Sequence, residues 1–129
     1  MTTQMLNEEE RMLQTLVRDF ADRELAPRAQ EVDEKEEFSW ENWAGLGQLG
    51  LTGIGIDSKY GGSGGGYRQT VIAASETARG DVSASTTLIA HLSLGTSTIY
   101  RFGNEEQKLR LLSLIHISEP TRLGMISYA

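Results

Sequence analysis

Apolar side chains recur every three or four residues through most of this 129-residue chain, which is the spacing of one face of an α-helix. The first series comprises Leu6, Leu13, Leu16, Val17, Phe20 and Leu25. Asn7, followed three residues later by Glu10, predicts a capping box at the start of this helix. Because Pro27 has no backbone N–H to donate, we expect the helix to kink or end near Ala26. The spacing favours an all-α fold.

Two further helices are indicated by residues typical of helix ends. Ser39 is the expected N-cap of the second helix, and Gly50 is the expected residue just beyond its C-terminus. Asn104, with Gln107 three residues later, predicts another capping box. That box would open the fifth and last helix.

The third and fourth helices are predicted over residues 67–78 and 82–102. We expect the third to turn these residues inward: Val71, Ile72, Ala74, Ser75 and Ala78. The fourth is unusual because Ser, Thr, His91 and Gly95 lie among the aliphatic residues of its predicted inner side. Small side chains allow close packing, either by another helix or by a ligand.

Composition excludes several classes of protein. Hydrophobic residues at 39% and charged residues at 23% are typical of a globular chain, and the length suits one domain. There is no cysteine, so disulfides and thiolate chemistry are excluded. A net charge of −6 argues against nucleic-acid binding. The longest uncharged stretch, residues 82–100, contains eight Ser or Thr, which argues against a membrane span, and no secretory signal is visible.

Two glycine patterns resemble phosphate-binding motifs. Gly45, Gly47 and Gly50 match G-x-G-x-x-G, but no strand precedes them, so structural glycines are favoured over a dinucleotide site. Residues 61–66 (GGSGGG) lack the G-K-[ST] ending of a P-loop. A flexible turn is favoured there over a phosphate cradle built from backbone N–H groups.

The titratable residues do not form a catalytic set. His91 has no second histidine or carboxylate at metal-ligand spacing, so we expect it to be hydrogen-bonded or to line a cavity, and we expect no metal site. Glu76 and Asp81 flank a helix end, where solvated or capping roles are the more common.

The order of three segments resembles the acyl-CoA dehydrogenase family. Residues 50–67 (GLTGIGIDSKYGGSGGGY) are similar to its G-L-x-G-x-x-x-P-x-x-Y-G-G-x-G segment, with Asp57 in place of proline. Residues 75–79 (SETAR) resemble E-E-x-A/S-R, with Ser75 at the first acidic position. Residues 99–108 (IYRFGNEEQK) resemble x-x-x-x-G-[NTS]-x-E-Q-K, and the likeness runs unbroken over residues 6–112. Residues 90–95 (AHLSLG) most resemble isovaleryl-type and medium-chain members.

This resemblance implies that residues 1–112 are the five-helix N-terminal domain, an orthogonal helical bundle that precedes a β-domain and a second helical domain. Family members bind FAD and an acyl-CoA thioester: a glutamate removes the α-proton, a hydride passes to the flavin, and electron-transfer flavoprotein reoxidises it. That glutamate and the FAD contacts would lie beyond this segment, so we expect no catalytic or cofactor-binding residue here, and an inactive fragment without FAD. The implied parent is a homo-oligomer of the bacterial cytoplasm.

The same resemblance implies that the N-terminal domain supplies one wall of the acyl cavity. The residues expected to line it are on the fourth helix, with the 60–66 loop nearby: His91, Leu92, Leu94, Gly95 and Thr96. A free-standing helical binding module is the alternative function, and a nucleotide-binding loop protein built on residues 61–66 is a third.

Residues 113–129 (SLIHISEPTRLGMISYA) do not continue the family pattern. They resemble the conceptual translation of a transposase-type sequencing-library adapter, with residues 123–125 as the variable index. We therefore expect a non-native tail, and the alternative is a genuine tail in which residues 114–118 form a strand.

Overall fold

The protein is represented by a computed structural model, which describes residues 6–114. The described part contains five helices in chain order and no strand longer than an isolated bridge. The helices are α1 (residues 8–35), α2 (Trp40–Gln48), α3 (Tyr67–Gly80), α4 (residues 82–102) and α5 (Glu105–Leu112). The predicted all-α, five-helix architecture is confirmed.

Local capping sets the helix ends, as the sequence predicts. The side chains of Asn7 and Asn104 each accept a hydrogen bond from the backbone N–H three residues on. The side chains of Glu10 and Gln107 in turn accept from the backbone N–H groups of the two asparagines. Ser39 caps α2. Gly50 follows α2 in the left-handed conformation (φ +79°), which a glycine adopts without strain.

Helix α1 does not end at Pro27. It consists of α-helix Glu8–Phe20, a π-helical turn Ala21–Leu25 and α-helix Ala26–Lys35. The backbone remains right-handed helical at both junctions. In the π turn the Ala26 N–H reaches back five residues to the Ala21 carbonyl, so the wider turn lies immediately before Pro27. Of the two expected alternatives, an end near Ala26 is wrong, because the helix continues past the proline, and the irregularity there takes the form of a π turn.

Helix α4 has the same composite form. It comprises Val82–Ala90, a π-helical turn His91–Thr96 and Ser97–Phe102. Its predicted start, and its end before Gly103, are confirmed, whereas the π turn is not expected from the sequence.

The inner face of α3 differs from the prediction. Its buried residues are Ile72, Ala73, Glu76 and Thr77, whereas Val71 and Ser75 are exposed. The reason is that the Glu76 carboxylate faces α1, where the Arg18 guanidinium donates to both of its oxygens at 3.1–3.2 Å. A paired carboxylate can be buried, and its position turns the helix away from the face that hydrophobicity indicates.

The core lies where α3 packs against α1 on one side and α4 on the other. The larger apolar cluster joins residues from every layer: Val17, Leu46, Leu51, Ile54, Ala73, Leu88 and Leu92. A smaller cluster, Ile56, Tyr60 and Leu112, closes the end near α5. Two 3-10 turns, Leu51–Gly53 and Ser58–Tyr60, lead from α2 toward α3.

Most of the predicted tail lies outside the described residues. Ser113 and Leu114 form a turn after α5, and the adapter interpretation of residues 113–129 stays a prediction. Within residues 6–114, no helix has both the length and the apolar character needed to cross a bilayer.

Candidate functional site

The G-x-G-x-x-G pattern is structural. Gly45 and Gly47 lie inside α2, and Gly50 follows its end. A Cβ atom on Gly45 would lie 2.5 Å from Cζ of Phe20, so this glycine makes room for the ring that α1 packs against α2. The preference for structural glycines over a dinucleotide site is confirmed.

The glycine-rich segment 61–66 forms a turn in which five of the six backbone N–H groups, all but that of Gly65, donate within the chain. The N–H groups of Ser63 and Gly64 donate to the carbonyls of Gly53 and Ile56, both at 2.9 Å. Gly62 donates to Asp57, and Gly66 donates to the Gln69 side chain. Donors that bond within the chain are not available to a phosphate, so the loop does not support the nucleotide-binding hypothesis.

The outer side of α4 carries apolar side chains that nothing in the described part of the chain covers. Val82 is 68% exposed, Ile89 43%, Leu94 70% and Phe102 83%. These residues follow one another along a helix whose opposite side is buried through Ser85, Leu88, Leu92 and Thr96. A row of exposed large apolar residues is typical of a surface that contacts a ligand or another domain.

The hydroxyl groups of α4 are mostly bonded inside the protein. Ser85 donates to the Ala74 carbonyl of α3 at 2.7 Å, which joins the two helices. Thr86, Thr87 and Ser93 each donate to the carbonyl four residues earlier. The polar residues of this helix therefore stabilise its packing, and its outer side is left to apolar contact.

The five residues predicted to line a cavity divide between the two sides of α4. Leu92 and Thr96 are buried, and the Thr96 hydroxyl donates to the Leu92 carbonyl. Leu94 and Gly95 lie on the exposed side, and a Cβ atom on Gly95 would meet nothing within 4 Å. The fifth, His91, is partly buried between these two sides.

His91 is held by neighbours from two other elements. Its Nε2 lies 2.9 Å from the Thr52 carbonyl oxygen, so the neutral ring must carry its proton on Nε2 and donate it. The His91 ring also contacts the Trp43 ring in an edge-to-face arrangement, with the two ring centroids 5.1 Å apart. Burial lowers the pKa of His91, and the Thr52 carbonyl opposes that shift only in part. The expectation of a hydrogen-bonded histidine is confirmed.

A cavity of about 390 Å³ separates α4 from the glycine-rich segment. Ile54, Ile56 and Leu92 supply apolar walls, and Gly65 and Gly66 lie opposite Ser93. Arg101 is the one charged residue among its described lining residues, and its guanidinium donates to the Tyr67 hydroxyl at 2.6 Å. Leu92 is the one residue of the predicted five that lines this cavity.

A larger cavity, of about 540 Å³, lies between α1, α2 and the start of α4. Its described lining residues include four carboxylates and no base: Asp33, Glu36, Glu37 and Asp81. Phe38 and Trp43 form its aromatic side. The sequence did not single out this cavity, because its parts come from two separate segments, residues 29–43 and 81–87.

Two buried carboxylates were also missed. Glu10 is 2% exposed, and the Arg68 guanidinium of α3 donates to it, with Nη2 2.9 Å from Oε1. This contact and the Asn7 backbone hydrogen bond lower the pKa of Glu10 to about 2. Glu76 forms the second such pair, so its expected solvated or capping role is wrong, whereas Asp81 caps α4. Both pairs hold α1 against α3 and take no part in the α4 surface.

Comparison with known proteins shows which protein family this helical domain resembles. The family model described as "Acyl-CoA dehydrogenase, N-terminal domain" matches residues 7–116. The acryloyl-CoA reductase (NADH) of Anaerotignum propionicum is 43% identical over 103 residues, which are 80% of this chain and 26% of the reductase.

Two solved structures have the same fold. The butyryl-CoA dehydrogenase of Megasphaera elsdenii superimposes with a TM-score of 0.79 at 33% identity, over 88% of this chain and 30% of that one. The acyl-CoA dehydrogenase of Bacillus anthracis, complexed with FAD, gives a TM-score of 0.82 at 30% identity, over 92% and 20%. The chain thus spans less than a third of the length of these proteins. With the family model matching most of its length, this chain belongs to the acyl-CoA dehydrogenase family, of which it contains the N-terminal helical domain.

Proposed function

We propose that this domain serves a flavin-dependent dehydrogenase that desaturates an acyl-CoA thioester, and that the outer side of α4 forms one wall of the acyl cavity. The observation that carries the proposal is the row Ile89, Leu94 and Gly95. It is exposed and apolar, and the absence of a side chain at Gly95 leaves a gap in it. An aliphatic chain is stabilised by contact with such a surface at about 25 cal/mol per Å² removed from water.

Charge supports α4 rather than the larger cavity as the acyl site. Coenzyme A carries several negatively charged phosphate groups, and the four carboxylates around the larger cavity would repel them. The cavity beside the glycine-rich segment has Arg101 at its lining instead. Of the two cavities, the one beside α4 is therefore the more favourable for an anionic thioester.

The described residues do not fit FAD. In the glycine-rich segment five of the six backbone N–H groups bond within the chain, so it offers no run of free donors to a pyrophosphate. We therefore propose that FAD is bound by the parts of the parent enzyme that this chain does not span, and that the chain alone neither holds flavin nor dehydrogenates a substrate. What its own residues do is exclude water from the acyl chain and set the length that fits.

The partners of the proposed parent are an acyl-CoA thioester and electron-transfer flavoprotein, and its assembly is a homo-oligomer. These follow from the family, whose N-terminal domain this chain contains. The relatives and neighbours described above come from bacteria, which supports the bacterial cytoplasm as its compartment.

A domain exchange tests the proposal. Residues 6–112 would replace the matching segment of Megasphaera elsdenii butyryl-CoA dehydrogenase, with which they share the fold. We expect the chimera to bind FAD and to oxidise butyryl-CoA. Gly95→Phe in the chimera should fill the gap on α4 and lower kcat/KM for hexanoyl-CoA by about tenfold, with a smaller loss for butyryl-CoA.

Leu109→Phe is the matched control, because Leu109 is half-exposed on α5, away from the proposed wall. A chimera that holds flavin but oxidises no thioester would contradict the proposal. So would equal losses for both chain lengths in Gly95→Phe. If the isolated chain by itself binds acyl-CoA in calorimetry, the binding-module alternative is favoured instead.

A further inference from the structure

We infer that His91 is a positioning residue: by joining the start of the π-helical turn 91–96 to Thr52 and Trp43, it determines which side chains α4 presents on its outer side. The inference deepens the proposed function, since it concerns the wall proposed for the acyl chain. The observations that support it are internal to the domain.

A π turn needs support from its surroundings. Its hydrogen bonds span five residues, and such turns are rare because a regular α-helix is the more stable local arrangement. In α4 the turn begins at His91, whose ring is the polar anchor to the 3-10 turn Leu51–Gly53. Leu92 and Thr96 are buried on the same side and hold the turn from within.

Loss of the π turn would change the register of the helix. Each residue of an α-helix advances the chain by about 100°, so removing the one extra residue would rotate everything beyond the turn by about that angle. Thr96, at the end of the turn, would leave the interior, and Leu94, near its middle, would rotate by part of that angle. An anchor at the first residue of the turn therefore acts on residues that it does not touch.

The partners of His91 make the anchor dependent on its hydrogen-bond donor. Thr52 is fully buried, so its carbonyl, if abandoned by His91, has no route to bulk water. The Thr52 hydroxyl is also buried and has no partner. Trp43 and Thr52, which contact the ring from the two neighbouring elements, are uncharged, and the lowered pKa of His91 keeps the ring neutral near pH 7.

The test uses the full 129-residue chain labelled with ¹⁵N, and measures amide hydrogen exchange at residues 92–97 by NMR. His91→Leu keeps an apolar side chain but removes the donor, and we expect exchange there to accelerate by about tenfold relative to α3. His91→Gln can still donate to the Thr52 carbonyl, and should remain within about threefold of the natural chain. Ser83→Ala, on the exposed first turn of α4, is the matched control and should leave exchange unchanged both at residues 92–97 and in α3.

A pH titration of the natural chain supplies a second readout. Protonation of His91 below pH 6.5 adds a proton at Nδ1 and leaves the Nε2 donor in place, so exchange at residues 92–97, corrected for its intrinsic pH dependence, should stay within about threefold of its value at pH 7. Equal exchange in the Leu and Gln variants would overturn the inference. If His91→Leu does not fold, exchange at residues 92–97 that is more than about tenfold faster in His91→Gln, whose side chain can still donate to the Thr52 carbonyl, would overturn it. Neither readout needs substrate, flavin or the chimera, so their failure is distinct from failure of the proposed function.

Discussion

Two π-helical turns interrupt the two long helices of this domain, and their surroundings differ. The turn in α1 is buried at Ala21 and Leu25, where the C-terminal end of α3 lies against it at Gly80, and its exposed side is charged: Asp22, Arg23 and Glu24. A Cβ atom on Gly80 would lie 2.6 Å from the Ala21 carbonyl oxygen. The turn in α4 is buried on one side and carries the exposed Leu94 and Gly95 on the other.

The difference separates packing from function. In the turn of α1 the apolar residues pack within the domain against α3, and charged residues face outward. The domain explains only the inner side of the turn in α4, through Leu92, Thr96 and His91. Its outer side has apolar groups without a partner in the described part of the chain, which is why we assign the acyl wall there.

The largest expected difference between the two turns is in leucine truncation. Leu25→Ala removes a fully buried side chain and should lower the free energy of unfolding by about 3 kcal/mol, whereas Leu94→Ala should change it by less than about 0.5 kcal/mol. Urea unfolding followed by circular dichroism measures both. Similar losses in the two variants would mean that Leu94 packs within the domain, and would remove the basis for the comparison.

Alanine substitutions at Gly80 and Gly95 should change the stability of the chain in opposite directions, which sharpens the same contrast. Gly80→Ala should cost about 2 kcal/mol, because its new methyl group meets backbone atoms that cannot move independently. Gly95→Ala meets open space and should stabilise the chain by up to about 1 kcal/mol, the usual advantage of alanine in a helix. Destabilisation by Gly95→Ala would show that the π turn needs glycine for its backbone conformation.

Acid should loosen the α1–α3 interface through the protonation of Glu10. The pKa of Glu10 is about 2 in the folded chain against an ordinary value of 4.5, so its contribution to stability is complete above pH 4.5 and is lost as the pH falls toward 2. Chemical unfolding at pH 6, 4 and 3 should show this loss, and Glu10→Gln should flatten it. A Glu10→Gln variant with an unchanged pH profile would assign acid sensitivity to other groups.

The smallest expected effect is the titration of His91. Because burial lowers its pKa, the neutral ring contributes stability that is complete above pH 6.5 and is lost as the pH falls through the lowered value. Trp43 contacts the ring, so its fluorescence should change over that range in the natural chain and not in His91→Gln. A fluorescence change that persists in His91→Gln would have another origin.

Local signals in the sequence predicted the helices well. Asn7, Ser39 and Asn104 act on backbone groups within three residues, so their role can be read from the neighbouring letters. The buried carboxylates could not be predicted in this way. Glu10 and Glu76 each find an arginine 58 residues away, and only the folded chain brings those partners together.

The π turns were missed for a related reason. One additional residue in a helix of more than 20 leaves apolar spacings of three and four almost unchanged, so hydrophobic periodicity does not reveal it. The five predicted lining residues, His91 to Thr96, are consecutive apart from Ser93, and consecutive residues of a helix cannot share one face. Resemblance directed the prediction to this part of α4, and the folded chain divides these residues between an inner and an outer side.

The parallel bridge between Ile54 and Gly64 has a practical consequence for protein engineering. Five glycines in six residues would suggest a linker, and so a place to insert a tag or to open a circular permutant. Here a cut would release Ile54 and Ile56, which belong to the two different apolar clusters, and would leave Gly62 free to move from its close approach to the Ile56 carbonyl. The exposed residues 36–38, between α1 and α2, offer a safer point of entry for a protease site or a fusion partner.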